Sequence, residues 1–312
     1  MQNTASKIVV LGTGGTLAGT ASDPGDNVGY RAGQIGIAEL VARIPVMAGM
    51  ALQTEQVAQI DSKDMGFALW RRLAARVAHH LERGDVTGIV VTHGTDTLEE
   101  TAYLLQRVLA PTKPVVLTAA MRPASALLSD GPQNLLDAMC VARHPGARGV
   151  VAVLAGRIHG ALDVRKVHTY RIDAFGSGDA GPLGAVQEGV PTLWRPWPEG
   201  EALGLSVLER AEAPRVAIVT SHADADGSVV DALCAHGIDG IVVAGTGNGS
   251  LHHGLEQALR RAREEGGILV LRCSRVAEGA VVPTGSDAFE SAGSLSPAQA
   301  RVELLLRLLR AA

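Results

Sequence analysis

An alternation constrains this chain more than any single residue does. Short aliphatic runs recur at 8–11, 88–92, 114–118, 149–154, 216–220, 240–244 and 268–272, interleaved with helix-length amphipathic stretches. Unbroken β-branched runs suit strands covered on both faces, and strand–helix alternation is what parallel strands with crossover helices produce. The expected fold is therefore α/β, a larger N-terminal doubly wound, mostly parallel sheet domain with a smaller C-terminal α/β domain. Residues 64–81 carry Leu69, Leu73, Val77 and Leu81 at helical spacing. Ser296 and Gln299 form a capping box with Pro297 at the first helical position, opening a last helix faced by Val302, Leu305, Leu306 and Leu309. The pattern lapses over 191–214, where Pro191, Pro196 and Pro198 crowd together. This stretch is expected to link a domain at 1–190 to one at 215–312.

Charge narrows the partners. Lys and Arg number 28 against 32 Asp and Glu, a net charge of −4, so the basic surplus that nucleic-acid binding needs is missing. No apolar run approaches the roughly 18 residues of a membrane span, and residues 1–7 resemble no export signal, so a cytoplasmic protein without a membrane partner is expected. Cys140, Cys234 and Cys273 are odd in number and set among apolar neighbours, which suits reduced core thiols.

Ligands of open α/β sheets bind at the carboxyl ends of strands, and four exit loops carry chemistry. The first, Gly12-Thr13-Gly14-Gly15-Thr16-Leu17-Ala18-Gly19, differs from a dinucleotide fingerprint because position 17 is Leu and no helix pattern follows at once. Thr16 reads either as a turn-capping hydroxyl or as a reactive one. The glycine-rich stretch 20–36 reads as a lid that carries Tyr30. The second loop runs from Thr92 to Glu100, where Thr97 and Glu100 form a capping box for a helix at 98–109. That leaves Thr95 and Asp96 outside a helix N-terminus, a place where amides attract a carboxylate and a carboxylate side chain holds an ammonium, as an amino-acid headgroup demands. The third, Asp61-Ser62-Lys63-Asp64-Met65, offers Asp61 or Ser62 as a helix cap or Ser62 as a ligand contact. In the fourth, at 160–169, Lys166 is a solvated surface charge unless it stands beside a hydroxyl, where a lysine can accept a proton. The pairs His79-His80 and His252-His253 point apart on helices, and neither a zinc signature nor a G-x-S-x-G elbow occurs, so neither metal nor cofactor is expected.

In combination these motifs are specific. Thr13-Gly14-Gly15-Thr16-Leu17-Ala18, then His93-Gly94-Thr95-Asp96-Thr97-Leu98-Glu99-Glu100-Thr101-Ala102, then Ala120-Met121-Arg122-Pro123 running into Asp130-Gly131-Pro132-Gln133-Asn134-Leu135, resemble the bacterial-type L-asparaginase family. Asp61 to Met65, Asp163 to Lys166, Ala244 to Ser250 and Ser296 to Val302 extend the likeness over nearly the whole chain. The resemblance implies hydrolysis of L-asparagine to L-aspartate and ammonia, without cofactor or metal, through an acyl-enzyme on Thr16 with Tyr30 as its hydroxyl partner. It implies a second catalytic set of Thr95, Asp96 and Lys166, with Asp96 holding the substrate's amino group and Ser62 its α-carboxylate. The backbone N–H groups of Thr95 and Ala120 match the oxyanion donors, and Ser250 stands where relatives vary between Asn and Ser. Relatives are commonly tetramers built from dimers, so a homotetramer or homodimer is expected. Lys63 stands where many relatives carry Gln and would place a positive charge near the substrate's amino end. Glu278, Asp287 and Glu290 are the acidic residues that could reach a neighbouring subunit's site. Alternatives are a glutaminase-asparaginase, a tRNA-amidotransferase-type relative or a non-catalytic amino-acid-binding protein on the same fold. The net negative charge speaks against the amidotransferase version, and the presence of both Thr16 and Thr95 against the non-catalytic one.

Overall fold

The computed structural model describes residues 6–285 and 287–311. Two compact units are present, one reaching to Ser206 and the other starting at Val207.

The first unit is built on an eight-stranded sheet. Its strands are β1 (Lys7–Gly14), β2 (Leu52–Ile60), β3 (Val86–Thr92), β4 (Val115–Thr118), β5 (Val150–Leu154) and β6 (Arg157–Gly160), with β9 (Gly184–Gln187) and β10 (Val190–Leu193) farther along the chain. The short strands β7 (Arg165–Lys166) and β8 (Phe175–Gly176) form a separate antiparallel hairpin. Strand order is β10-β9-β6-β5-β4-β3-β1-β2. The pairs from β2 to β5 are parallel, and β6, β9 and β10 extend the sheet antiparallel. Helices α1 (Ile37–Ala42), α2 (Phe67–Leu81), α3 (Leu98–Leu109) and α4 (Gly131–Arg143) supply the crossovers. Ile8, Val10, Val90, Val116 and Val151 pack with Leu40 of α1 and Leu135, Ala138 and Met139 of α4 in one core. Since β1 lies between β2 and β3, the chain reverses its direction of travel across the sheet there. A crevice opens at such a switch point, outside the carboxyl ends of β1 and β3.

The second unit is a parallel sheet of β11 (Val216–Thr220), β12 (Gly240–Gly245), β13 (Leu269–Ser274) and β14 (Glu290–Ser291), with α5 (Ser228–Ala235), α6 (His253–Gly266) and α7 (Pro297–Ala311). The capping box at α7 is reciprocal: Gln299 N donates to Ser296 Oγ at 3.2 Å and Ser296 N donates to Gln299 Oε1 at 3.1 Å.

Two expectations are corrected. Residues 191–193 continue β10 of the first sheet rather than leaving it, and Leu203 N donates to Arg107 O at 2.9 Å, so much of 191–214 is built into the first unit. Thr97 occupies the N-cap position of α3 but makes no side-chain cap, because its hydroxyl donates to Ser62 O at 2.8 Å instead. All three cysteines are free thiols, and burial pushes Cys273 up to about 12. Among the described residues no helix is long and apolar enough to cross a membrane.

Candidate active site

The site begins where β1 outlasts its aliphatic run. Gly14 and Gly15 adopt φ 106° and 81°, in the left-handed region that favours glycine. A Cβ on Gly15 would lie 2.5 Å from both Cα and N of Gly94, so the absence of a side chain is what lets the loops after β1 and β3 touch. Gly15→Ala is accordingly expected to cost about 1–3 kcal/mol from backbone strain alone, read as a lower midpoint in denaturant unfolding.

Thr16 follows in a single 3₁₀ turn, Thr16–Ala18, capped by Gly15, so its hydroxyl does no capping. It is buried, and its Oγ1 lies 2.6 Å from the Tyr30 hydroxyl. Burial, partly offset by that hydrogen bond, pushes the half-buried phenol of Tyr30 above its ordinary value, so it stays protonated near neutrality. The lid is tied down rather than loose. Thr20 and Arg31 exchange backbone hydrogen bonds at 3.0 and 2.9 Å, and Ala21 N donates to Ser125 Oγ at 2.8 Å, Ala124 N to Gly19 O at 2.9 Å.

The loop after β3 hangs on a buried imidazole. His93 Nδ1 lies 2.8 Å from Gly94 O. A carbonyl only accepts, so Nδ1 carries the hydrogen and Nε2 must accept, which it does from the Thr101 hydroxyl at 3.0 Å. Thr101 Oγ1 accepts in turn from Trp70 Nε1–H at 2.9 Å. Complete burial pushes His93 down to about 4, which keeps the ring neutral and this chain of donors intact across the physiological range.

Beyond His93, Thr95 is buried and Asp96 exposed. Lys166 reaches both: its Nζ donates to Thr95 Oγ1 at 2.9 Å and to Asp96 Oδ1 at 2.6 Å. Lys166 belongs to the β7–β8 hairpin, and its backbone N is fixed by Glu99 Oε2 of α3 at 2.8 Å. A cavity of about 540 Å³ opens beside it, lined by Asp96, Glu99, Lys166, Val167, His168 and Thr169. Ser62, also buried, accepts from Asp96 N at 3.2 Å, which leaves its own hydroxyl hydrogen to donate. The cap of that turn is Asp61, which accepts from Lys63 N. Ala120, fully buried after β4, sits in a loop whose next two amides, Met121 N and Arg122 N, donate to Asp130 at 3.0 and 2.9 Å. Among the described residues neither the Thr95 nor the Ala120 amide is used in a hydrogen bond.

The structure thus brings Thr16 to Tyr30, and Ser62, Thr95, Asp96 and Lys166 to one another, within the first unit. Ser250 belongs to the second, exposed in a turn where its backbone and that of Thr246 exchange two hydrogen bonds of 2.8 Å. The charge expected of Lys63 near a ligand's amino end is neutralised locally, because its ammonium pairs with Asp61 at 2.7 Å and Asp64 at 3.6 Å. Of the acidic candidates, Asp287 is held by Arg272 at 2.8 Å and Glu290 by Arg307 at 2.8 Å, whereas Glu278 is exposed. Asp130, Asn134, Glu99, His93, Thr101 and Trp70 were not singled out by residue type. Glu99 and Asn134 hide in helix turns, where a polar residue ordinarily faces solvent.

Comparison with known proteins identifies the family. A family model described as the asparaginase N-terminal domain matches residues 7–198, and one described as the glutaminase/asparaginase C-terminal domain matches 215–311. L-asparaginase 2 of Escherichia coli is 37% identical over 313 residues, covering 96% of this chain and 88% of that protein. Glutaminase-asparaginase of Pseudomonas fluorescens is 34% identical over 316 residues, covering 98% of this chain and 87% of that protein. A crystal structure of a probable cytoplasmic L-asparaginase from Campylobacter jejuni superposes with a TM-score of 0.91 at 38% identity, covering 97% of this chain and 95% of that one. The chain belongs to the asparaginase family.

Proposed function

We propose that this protein is an L-asparagine amidohydrolase in which Thr16 is the nucleophile. The observation that carries the reading is the pair of buried threonine hydroxyls, each with its own proton partner: Tyr30 for Thr16 and Lys166 for Thr95. Thr16 Oγ attacks the side-chain carboxamide carbon, forming an ester as the C–N bond breaks, and the nitrogen takes up the proton that Thr16 gave up. Tyr30, kept protonated by burial, relays that proton rather than storing it. Thr95 hands the nitrogen a second proton and replaces that one from Lys166, so the nitrogen departs as ammonium. In the second half Thr95 and Lys166 take a proton from the attacking water, and the ester breaks with the new carboxyl group's proton passing to Thr16 Oγ, so L-aspartate departs as its anion and both threonines are restored. The free amides of Thr95 and Ala120 serve the developing oxyanion, a term worth about 3–4 kcal/mol of barrier for each such donor. Asp96 holds the substrate's ammonium, and the spare hydrogen of Ser62 meets its α-carboxylate.

A cytoplasmic homotetramer or homodimer belongs to the same reading. Leu127 and Leu128, 83% and 71% exposed, are apolar surface of the kind that assembly covers, and light scattering on the purified protein checks it. The test of function is ammonia release from L-asparagine, L-glutamine and D-asparagine side by side, with release fastest from L-asparagine. Lys63→Gln is expected to leave the preference between L-asparagine and L-glutamine unchanged, because Asp61 and Asp64 already neutralise the ammonium. A shifted ratio of kcat/KM values would place the Lys63 charge in the pocket.

A further inference from the structure

We infer that Asn134 is a positioning residue for the oxyanion donor at Ala120, an inference that rests on the amide-hydrolysis reading above. The Ala120 amide belongs to the peptide joining it to Ala119, and the C=O and N–H of a trans peptide lie in one plane and point opposite ways. Whatever fixes the Ala119 carbonyl therefore fixes the aim of the Ala120 N–H. Asn134, buried one turn into α4, donates from Nδ2 to that carbonyl at 2.9 Å and to Asp130 Oδ2 at 3.1 Å. Its Oδ1 accepts from Ala155 N at 2.9 Å, so the side chain is braced from the end of β5 and cannot swing. On the other side of Ala120, the two oxygens of Asp130 hold the amides of Met121 and Arg122. The peptides around Ala120 are thus clamped from α4, and its own N–H is the group left over. A hydrogen bond onto a carbonyl also polarises the amide it belongs to, which strengthens the N–H at the other end as a donor.

The carboxamide oxygen gains its charge only as the tetrahedral species forms. The aim of the Ala120 N–H should therefore act on turnover and scarcely on ground-state binding. The test measures kcat and KM for L-asparagine, and L-aspartate binding, in Asn134→Ala and in Asp130→Asn. The second variant keeps the shape of the helix start but exchanges an accepting oxygen for a donor. Losing a whole oxyanion donor costs about 10²–10³ in kcat, so misdirecting one is expected to lower kcat at least about tenfold with KM and L-aspartate binding within about threefold. A kcat within about threefold of wild type in a folded Asn134→Ala protein overturns the inference, as does L-aspartate binding lost in step with turnover. Should Asn134→Ala not fold, Asp130→Asn decides by the same two criteria. A wild-type protein that releases no ammonia from L-asparagine defeats the parent reading instead, whereas full turnover in wild type beside undiminished variants defeats this inference alone.

Discussion

Thr16→Ala is expected to lower ammonia release from L-asparagine by at least about 10³-fold, or about 4 kcal/mol of barrier, while leaving the fold and the binding of L-aspartate in place. The hydroxyl is the atom that would bond to substrate, and its removal takes away a covalent step rather than a contact. Structural damage should be small. Thr16 caps nothing, since Gly15 begins its turn, and among the described residues its one side-chain hydrogen bond is to Tyr30, whose half-buried phenol can turn to water. Steady-state turnover within tenfold of wild type would mean that the nucleophile lies elsewhere.

Lys166→Met is expected to reduce turnover by about 10²–10⁴-fold, the usual range for losing a positioned proton-transfer group. Methionine retains most of the stem, and the backbone amide of Lys166 keeps its bond to Glu99. Thr95 is left with no group from which to recover a proton, and Asp96 loses its cation. The Asp96 side chain is 51% exposed and can be hydrated, so unfolding should change little. Both unfolding midpoints and turnover per folded molecule need measuring. A lower midpoint with undiminished turnover per folded molecule would make Lys166 a structural residue.

Where burial is two-sided, the fold was legible in the sequence. Strands β1, β3, β4, β5 and β12 contain continuous aliphatic runs because helices cover both faces of a parallel sheet, and β11 and β13 carry such runs too although Ile218 and Leu269 are exposed. Strand β2, Leu-Gln-Thr-Glu-Gln-Val-Ala-Gln-Ile, is an edge strand whose polar residues find specific partners. Glu55 pairs with Arg76 at 2.6 Å and His80 at 2.8 Å, and Gln56 accepts from Ile37 N at 2.8 Å. The Arg76 guanidinium, with His80, holds Glu55 down at about 2. No run of apolar residues marks such a strand. Strands β6, β9 and β10 are four residues each and carry Gly, His and Pro, so they read as loop.

The site divides in the same way. Thr16 and Thr95 stand at strand exits among glycines, where residue type alone leaves Thr16 open between capping and reaction. Lys166 does not, because 71 residues separate it from Thr95 and only the β7–β8 hairpin brings them together. The capping box at Thr97 fails for a similar reason, since a carbonyl from the Ser62 turn competes for its hydroxyl. At Ser296 the box forms as local chemistry dictates. The supports of the site, His93, Asn134 and Glu99, are set by contacts that sequence spacing does not contain.

The most direct measurement is to stop the reaction with acid during turnover of L-asparagine and map the protein's peptides by mass. An aspartyl ester is expected on the peptide that carries Thr16, and the same treatment of Thr16→Ala should leave every peptide unmodified. An ester on the peptide carrying Thr95, with Thr16 untouched, would contradict the assignment of the nucleophile.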